Sequence, residues 1–133
     1  MLRPLLLTFV TLAASPALAG ATPWQEIAPD ARARLISSDT LSNGALLAGL
    51  EIDMPSTSKT YWRVPGESGI PTTFDFSVST NVGTPAIDWP FPSVDHTGGL
   101  TDYVYRGPVG IPIELTPGQG AAGLEVSIVL GIC

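Results

Sequence analysis

The stretch LEVSIVLGIC at positions 124–133 carries the clearest structural pattern in the sequence. Every second residue from Leu124 to Ile132 is a large aliphatic, whereas Glu125, Ser127 and Cys133 lie at the intervening positions. A period of two residues is typical of a β-strand with one buried face. The pattern therefore predicts a half-buried strand whose cysteine lies on the face away from the aliphatic core.

Three other stretches alternate in the same way: ALLAGLEIDM at 45–54, TFDFSVS at 73–79 and VGIPIEL at 109–115. Residues 42–44 and 117–120 are rich in turn-forming types, which suits connections between antiparallel strands. Pro112 has no N–H to donate, so it is expected at a sheet edge or an irregularity. Several short strands separated by turns predict an all-β protein, an antiparallel β-sandwich.

The first 19 residues have the layout of a secretory signal peptide. A basic start at Arg3 is followed by an apolar run from Leu5 to Ala14 and an A-x-A site ending at Ala19. The apolar run is too short for a membrane span, which needs about 20 residues. The sequence therefore predicts export, with residues 1–19 cleaved and residues 20–133 forming one domain that lacks a membrane span.

Charge excludes nucleic acid as a partner. The chain has a formal net charge of −6, and removing residues 1–19 leaves five basic residues against twelve acidic ones, a charge of −7. Proteins that bind phosphate backbones need a concentrated basic surface, which this sequence lacks.

The numbers of cysteines and histidines limit the chemistry of the chain. Cys133 is the single cysteine, so it cannot form an internal disulfide, and in an oxidising compartment it indicates a reactive thiol or a bond to another chain. His96 is the single histidine, and its glycine-rich surroundings predict a solvated loop. One histidine and one cysteine do not make a zinc site, which needs three or four ligands, so neither a metal nor a cofactor is predicted.

The internal stretch KTYWRVPGESGIP at 59–71 leaves two alternatives open. Tyr61 and Trp62 offer a large contact area, while Pro65 and Gly66 favour a rigid, irregular loop after them. These residues are either a core segment with its connecting loop, or a rigid element that shields a site or contacts a partner. Composition does not choose between the two.

The blocks KTYWRVPGESGIPTTFDFSVSTNV, IDWPFP and VGIPIELTP, followed by LEVSIVLGIC, resemble the amino-terminal domain family of thiol:disulfide interchange protein DsbD. The resemblance runs from about Trp24 to Cys133, and it is strongest to the α-proteobacterial, suppressor-of-copper-sensitivity-like branch. It implies an immunoglobulin-like sandwich in the periplasm. It also implies a module that passes electrons from a membrane-linked dithiol donor to oxidised thioredoxin-fold proteins.

The same resemblance identifies Cys133 as the first cysteine of the family's redox pair. The family pattern continues to a second, resolving cysteine, which this sequence does not contain, so we expect either a fragment or a natural truncation. The expected activity is that of one domain of a protein-disulfide reductase, which does not complete a catalytic cycle by itself. The expected fold is a sandwich that is incomplete at its C-terminal end. The alternative is a non-enzymatic exported binding module whose cysteine is inert or links two chains.

Overall fold

Twelve strands are formed by the residues that the computed structural model describes, namely 6–14, 20–40, 44–116, 118 and 123–133. In chain order the strands are β1 (Leu6–Ala14), β2 (Gly20–Ala21), β3 (Gln25–Ala28), β4 (Ala31–Thr40), β5 (Leu46–Asp53), β6 (Lys59–Gly66), β7 (Thr73–Asp75), β8 (Ala86–Ile87), β9 (Ser93–Asp95), β10 (Asp102–Arg106), β11 (Val109–Leu115) and β12 (Leu124–Ile132). A short 3-10 helix, Thr97–Gly99, separates β9 from β10.

The strands form three antiparallel sheets. The largest has the order β2-β4-β5-β11-β8, with β3 also pairing with β4, and the two smaller sheets have the orders β1-β12-β7 and β6-β10-β9. All strand pairs are antiparallel. This arrangement confirms the predicted all-β, antiparallel architecture.

The core joins the largest sheet to the sheet that contains β12. Its fully buried members come from both sheets, because each strand contributes every second side chain to the same interior. The largest of these side chains are Leu12, Leu35, Leu50, Ile52, Ile111, Ile113, Ile128, Leu130 and Val126. The three alternating patterns of β5, β11 and β12 are therefore confirmed by burial.

One predicted strand is only partly right. TFDFSVS was expected to alternate through to Ser79, but β7 ends at Asp75 and Val78 is 54% exposed. The Asp75 carboxylate accepts the N–H of Ser77 at 2.9 Å, and the Ser79 N–H donates to the carbonyl of Phe76 at 2.9 Å. A side chain that captures the backbone in this way replaces the ladder with a turn, so the extension beyond Asp75 is wrong.

Pro112 lies inside a strand that has neighbours on both sides. β11 pairs with β5 along its whole length, and on its other side the two-residue strand β8 faces Ile113 and Glu114. The Pro112 carbonyl accepts the N–H of Asp88 at 2.9 Å, just beyond the end of β8. Pro112 accepts this bond but has no N–H to return to Asp88, and β8 ends at that point, so the prediction of a sheet edge is wrong and the irregularity lies in the neighbouring strand.

Residues 6–14, which the sequence predicts as part of a cleaved leader, form β1 and pair with β12 over nine positions. With residues 6–14 present, β12 has a neighbour on each side, β1 and β7. The predicted cleavage site, after Ala19, and parts of both predicted turns lie outside the described residues. Within the described part of the chain, no helix is long and apolar enough to cross a membrane.

Candidate functional site

Cys133 lies where β12 meets the sheet of β6. Its N–H donates to the carbonyl of Lys59 at 2.9 Å, and its carbonyl accepts the N–H of Lys59, also at 2.9 Å. These two bonds hold the cysteine backbone against the first residue of β6. The thiol is free and half-buried, on the side of β12 away from the aliphatic core.

The hydroxyl of Tyr61 donates a hydrogen bond to the sulfur of Cys133, with 3.7 Å between Oη and Sγ. The Tyr61 side chain is only 2% exposed. Burial is the main cause that raises the pKa of Tyr61 well above its usual value, and the hydrogen bond to Cys133 and the nearby charges of Asp102 and Asp95 act in the same direction. Tyr61 therefore stays protonated and able to donate over the whole physiological pH range.

The loop after β6 packs on the Tyr61 ring. Gly69 lies so close that a Cβ there would be 2.3 Å from Cδ1 of Tyr61 and 2.8 Å from Cβ of Pro65. The Thr72 hydroxyl donates to the Tyr61 carbonyl at 2.6 Å, which fixes the far end of the loop to the same residue. Tyr61 is thus held between this loop on one side and the thiol on the other.

Replacing Gly69 with alanine is expected to displace the Tyr61 ring, because neither the ring nor Pro65 has room for a methyl group. Overpacking of this kind costs about 1–3 kcal/mol of unfolding free energy. The matched control is Gly110→Ala, because Gly110 lies on a strand with nothing within 4 Å of its added Cβ. Chemical denaturation measures both, and equal stabilities of the two variants would contradict the packing described here.

Asp102 fixes the near end of the loop. It is 3% exposed, and its Oδ1 accepts the N–H of Ser68 at 2.8 Å while its Oδ2 accepts the Ser68 hydroxyl. Burial works to raise the pKa of Asp102, but the two hydrogen bonds from Ser68, the charge of Lys59 and the N–H of Glu67 together lower it. Gly66 opens the loop at φ +92°, with its α-carbon against the backbone of Thr101 and Asp102, so only glycine fits there.

A second buried carboxylate, Asp95, anchors the strand that contacts the cysteine. Lys59 Nζ lies 2.6 Å from its Oδ2 and Arg106 Nη2 lies 2.9 Å from the same atom. Thr97 donates to Oδ1 through its N–H at 3.0 Å and its hydroxyl at 2.6 Å. The hydrogen bonds from Lys59 and Thr97 hold the pKa of Asp95 far below its usual range.

Trp62 contacts a different part of the molecule from Tyr61, since successive side chains of a strand point to opposite faces. Its ring meets Tyr103 edge-on at 6.0 Å and lies under the Arg63 guanidinium at 4.8 Å. It lines a cleft of about 940 Å³ together with Trp89 and Phe91, whose side chain is 99% exposed. Of the predicted pair, Tyr61 thus lies beside the thiol, and Trp62 lies in this aromatic cleft.

The structure also describes the other residues that the sequence singled out. Pro65 contacts the Gly69 region of the loop, and His96 is exposed, with its Nδ1 3.2 Å from the Thr101 hydroxyl. In the part of the chain that the structure describes, no three His, Cys, Asp or Glu side chains converge to hold a metal ion. Sequence reasoning placed Gly69 in the rigid loop but missed Ser68 and Asp102. The Gly-Glu-Ser-Gly run was the only signal for Ser68, and Asp102 has none.

The fold and the site together define a class: an immunoglobulin-like β-sandwich with a partly exposed thiol at the meeting point of two sheets, under a buried tyrosine hydroxyl. The chain belongs to the family of the N-terminal region of thiol:disulfide interchange protein DsbD, whose family model matches residues 25–133. This membership confirms the resemblance that the sequence indicates.

One solved structure supports the same assignment. The N-terminal periplasmic domain of ScsB from Proteus mirabilis is similar, with a TM-score of 0.64 and 28% sequence identity. The match covers 82% of this chain and 46% of that chain, so the present sequence spans less than half of its relative's length. No curated protein sequence matches the chain.

Proposed function

We propose that Cys133 is the nucleophile of a thiol-disulfide exchange reaction with thioredoxin-fold proteins. The observation that carries this proposal is the hydrogen bond from the buried Tyr61 hydroxyl to the partly exposed sulfur of Cys133. A donor aimed at sulfur stabilises the thiolate, which is the reactive form. The loop held by Asp102 keeps that donor in place.

The reaction divides into two exchanges. The Cys133 thiolate attacks one sulfur of a partner disulfide, a new S–S bond forms, and the partner's other sulfur leaves as a thiolate. Release requires a second thiol to attack the mixed disulfide. Residues 1–133 contain one cysteine, so a chain of these residues is expected to accumulate the mixed disulfide until a second thiol is supplied.

The test is the rate at which the full chain forms an adduct with an oxidised thioredoxin-fold protein, followed by mass spectrometry without reductant. Cys133→Ser is expected to abolish the adduct. Tyr61→Phe keeps the ring and removes only the donor. A hydrogen bond to a charged group is worth about 1.5–3 kcal/mol, so the rate at pH 7 should fall about tenfold.

A pH–rate profile separates this role of Tyr61 from a merely structural one. If Tyr61 stabilises the thiolate, the Tyr61→Phe profile shifts toward higher pH and the rates converge in alkaline solution. Cys133→Ser adducts, or a Tyr61→Phe profile identical to that of the parent, would overturn the proposal. Dithiothreitol added after the reaction should release the partner in its reduced form, because it supplies the second thiol.

The proposed compartment is the periplasm. It is supported by the signal-peptide layout of residues 1–19 and by the periplasmic location stated for the ScsB domain. An exported module needs a source of electrons, and a membrane-linked dithiol donor is the proposed one. N-terminal sequencing of the exported product checks the first point, and a mature chain that begins at Gly20 is the expected result.

A second candidate is a non-enzymatic binding module. Tyr61 is buried and contributes no exposed patch, but the aromatic cleft of Trp62, Trp89 and Phe91 presents apolar surface to solvent. Non-reducing electrophoresis of periplasmic material separates the two candidates. Adducts with thioredoxin-fold proteins support exchange, whereas a homodimer that disappears on reduction supports a cysteine that links two chains.

A further inference from the structure

Lys59 and Cys133 lie directly opposite each other where β6 meets β12. Each residue donates its N–H to the carbonyl of the other, at 2.9 Å in both directions. This reciprocal arrangement is the hydrogen-bonded pair of an antiparallel ladder. Facing residues of such a ladder direct their side chains to the same face, with Cβ atoms about 4.5–5.5 Å apart. The Lys59 side chain therefore shares a face with the thiol, and so does Tyr61, two residues further along β6.

Two buried carboxylates lie close to Tyr61. Asp95 on β9 and Asp102 on β10 are directly opposite each other and are 7% and 3% exposed. Their charges contribute to the raised pKa of Tyr61, so their negative field reaches the hydroxyl that contacts the Cys133 sulfur. Negative charges nearby disfavour the formation of a further anion. A thiolate at Cys133 would be that further anion, and it needs a compensating positive charge.

Lys59 provides a positive charge at this place. Its Nζ lies 2.6 Å from Oδ2 of Asp95 and 5.8 Å from the centre of the Tyr61 ring. The charge of Lys59 also acts to lower the pKa of both buried carboxylates. Its side chain is 15% exposed, against 42% for Arg106, the other cation bound to Asp95. Solvent and salt screen a buried charge less than an exposed one, so the charge of Lys59 is the more effective of the two.

We propose that Lys59 is a positioning residue for the reaction of Cys133. Its main chain fixes the cysteine against β6, and its ammonium offsets the field of Asp95 and Asp102, so that the thiolate can form beside them. Asp95 has the complementary role of holding the ammonium in place. This inference deepens the proposed function and rests on it, and it adds no chemical step to the exchange described above.

The test is the rate at which Cys133 reacts with hydroxyethyl disulfide in the chain of residues 1–133, measured by mass spectrometry as a function of pH. This small, uncharged disulfide is attacked by the thiolate and needs no docking. Lys59→Met removes the charge but keeps the main-chain bonds to Cys133 and most of the length of the side chain. In that variant Asp95 keeps Arg106 and Thr97 as partners, so the carboxylate is not left unpaired.

The pH–rate profile of Lys59→Met is expected to shift by about one pH unit toward alkaline solution, which lowers the fraction of thiolate at pH 7 about tenfold. A thiolate that forms at higher pH is also more nucleophilic, which recovers about threefold of the rate. The net loss at pH 7 is therefore about threefold. In alkaline solution the variant should react at least as fast as the parent, whereas a merely structural loss would lower the rate at every pH.

Three further variants control the interpretation. Lys59→Arg keeps the charge and should restore the parent profile, whereas Lys59→Gln keeps a donor for Asp95 without the charge and should reproduce the shift, even if Lys59→Met does not fold. Arg106→Met removes the other cation from the same carboxylate oxygen and should shift the profile less. An unshifted profile in the two neutral variants of Lys59, or an equal shift in Lys59→Arg or Arg106→Met, would overturn the role of Lys59.

An oxidised thioredoxin-fold protein separates this inference from the proposed function. If the parent chain reacts with hydroxyethyl disulfide but forms no adduct with that protein, the proposed function fails, and the effect of Lys59 on the thiolate is still measured with the small reagent. If the adduct forms but the profile of Lys59→Met coincides with that of the parent, the role of Lys59 alone fails.

Discussion

Replacing Leu12 with alanine in the full chain is expected to lower the free energy of unfolding by about 2–5 kcal/mol, the usual cost of emptying a fully buried leucine site. Leu12 is 0% exposed and lies in the core, on the strand that closes the edge of β12. Chemical denaturation of the full chain, followed by tryptophan fluorescence, measures the loss.

Phe9→Ala is the matched control on the same strand. Phe9 is 69% exposed, so its truncation should change stability by less than about 0.5 kcal/mol. If Leu12→Ala costs no more than Phe9→Ala, β1 does not contribute to the folded core. A large difference means that residues 6–14, which the sequence predicts as part of a leader, form a structural strand of the full chain.

Among changes of polar residues, Asp95→Asn is expected to cost the most stability. It should lower the free energy of unfolding by about 3 kcal/mol near pH 7. The substitution leaves Lys59, whose side chain is only 15% exposed, without its charge partner. Removing one member of a buried pair is costly because the other charge remains desolvated. Since Lys59 holds the backbone of Cys133, the adduct rate should fall as well.

The pH dependence of stability gives a second measure of the same carboxylate. Asp95 has a folded-state pKa far below its unfolded value of about 3.9, so its contribution is fully present above about pH 4. It is lost as the pH falls toward the folded-state pKa. As the pH falls below 4, the free energy of unfolding of Asp95→Asn should therefore decrease less than that of the parent chain.

Asp53→Asn provides the control. Asp53 pairs with Arg32 at 2.9 Å, but the two side chains are 41% and 52% exposed. An exposed pair of this kind contributes about 0–1 kcal/mol. Similar losses for Asp53→Asn and Asp95→Asn would show that the Asp95 cluster is not buried in solution.

Strands with strong alternation could be predicted from the sequence, and those with competing local signals could not. β5, β11 and β12 follow their apolar positions, because burial of one face is enough to fix the register of a strand. β7 is shorter than its pattern indicates, because the side chain of Asp75 captures the backbone two residues later. The Asx turn there overrides the alternation.

The candidate site shows the same division. Cys133 could be placed away from the core by counting along β12, and Tyr61 could be singled out by its aromatic character. The contact between them joins residues 72 positions apart. Lys59 and Asp95 are 36 positions apart. No periodicity links such residues, so their proximity was outside the reach of a single sequence.

The sequence by itself determined the class of fold and the face on which the thiol lies, because both depend on neighbouring residues and on the period of a strand. Only the tertiary structure decided that Tyr61 donates to Cys133, that Asp102 and Gly69 hold the loop against Tyr61, and that residues 6–14 close the edge of β12. These contacts join distant segments. They form only when the summed burial of many side chains offsets the entropy of bringing those segments together, and no local pattern encodes that balance.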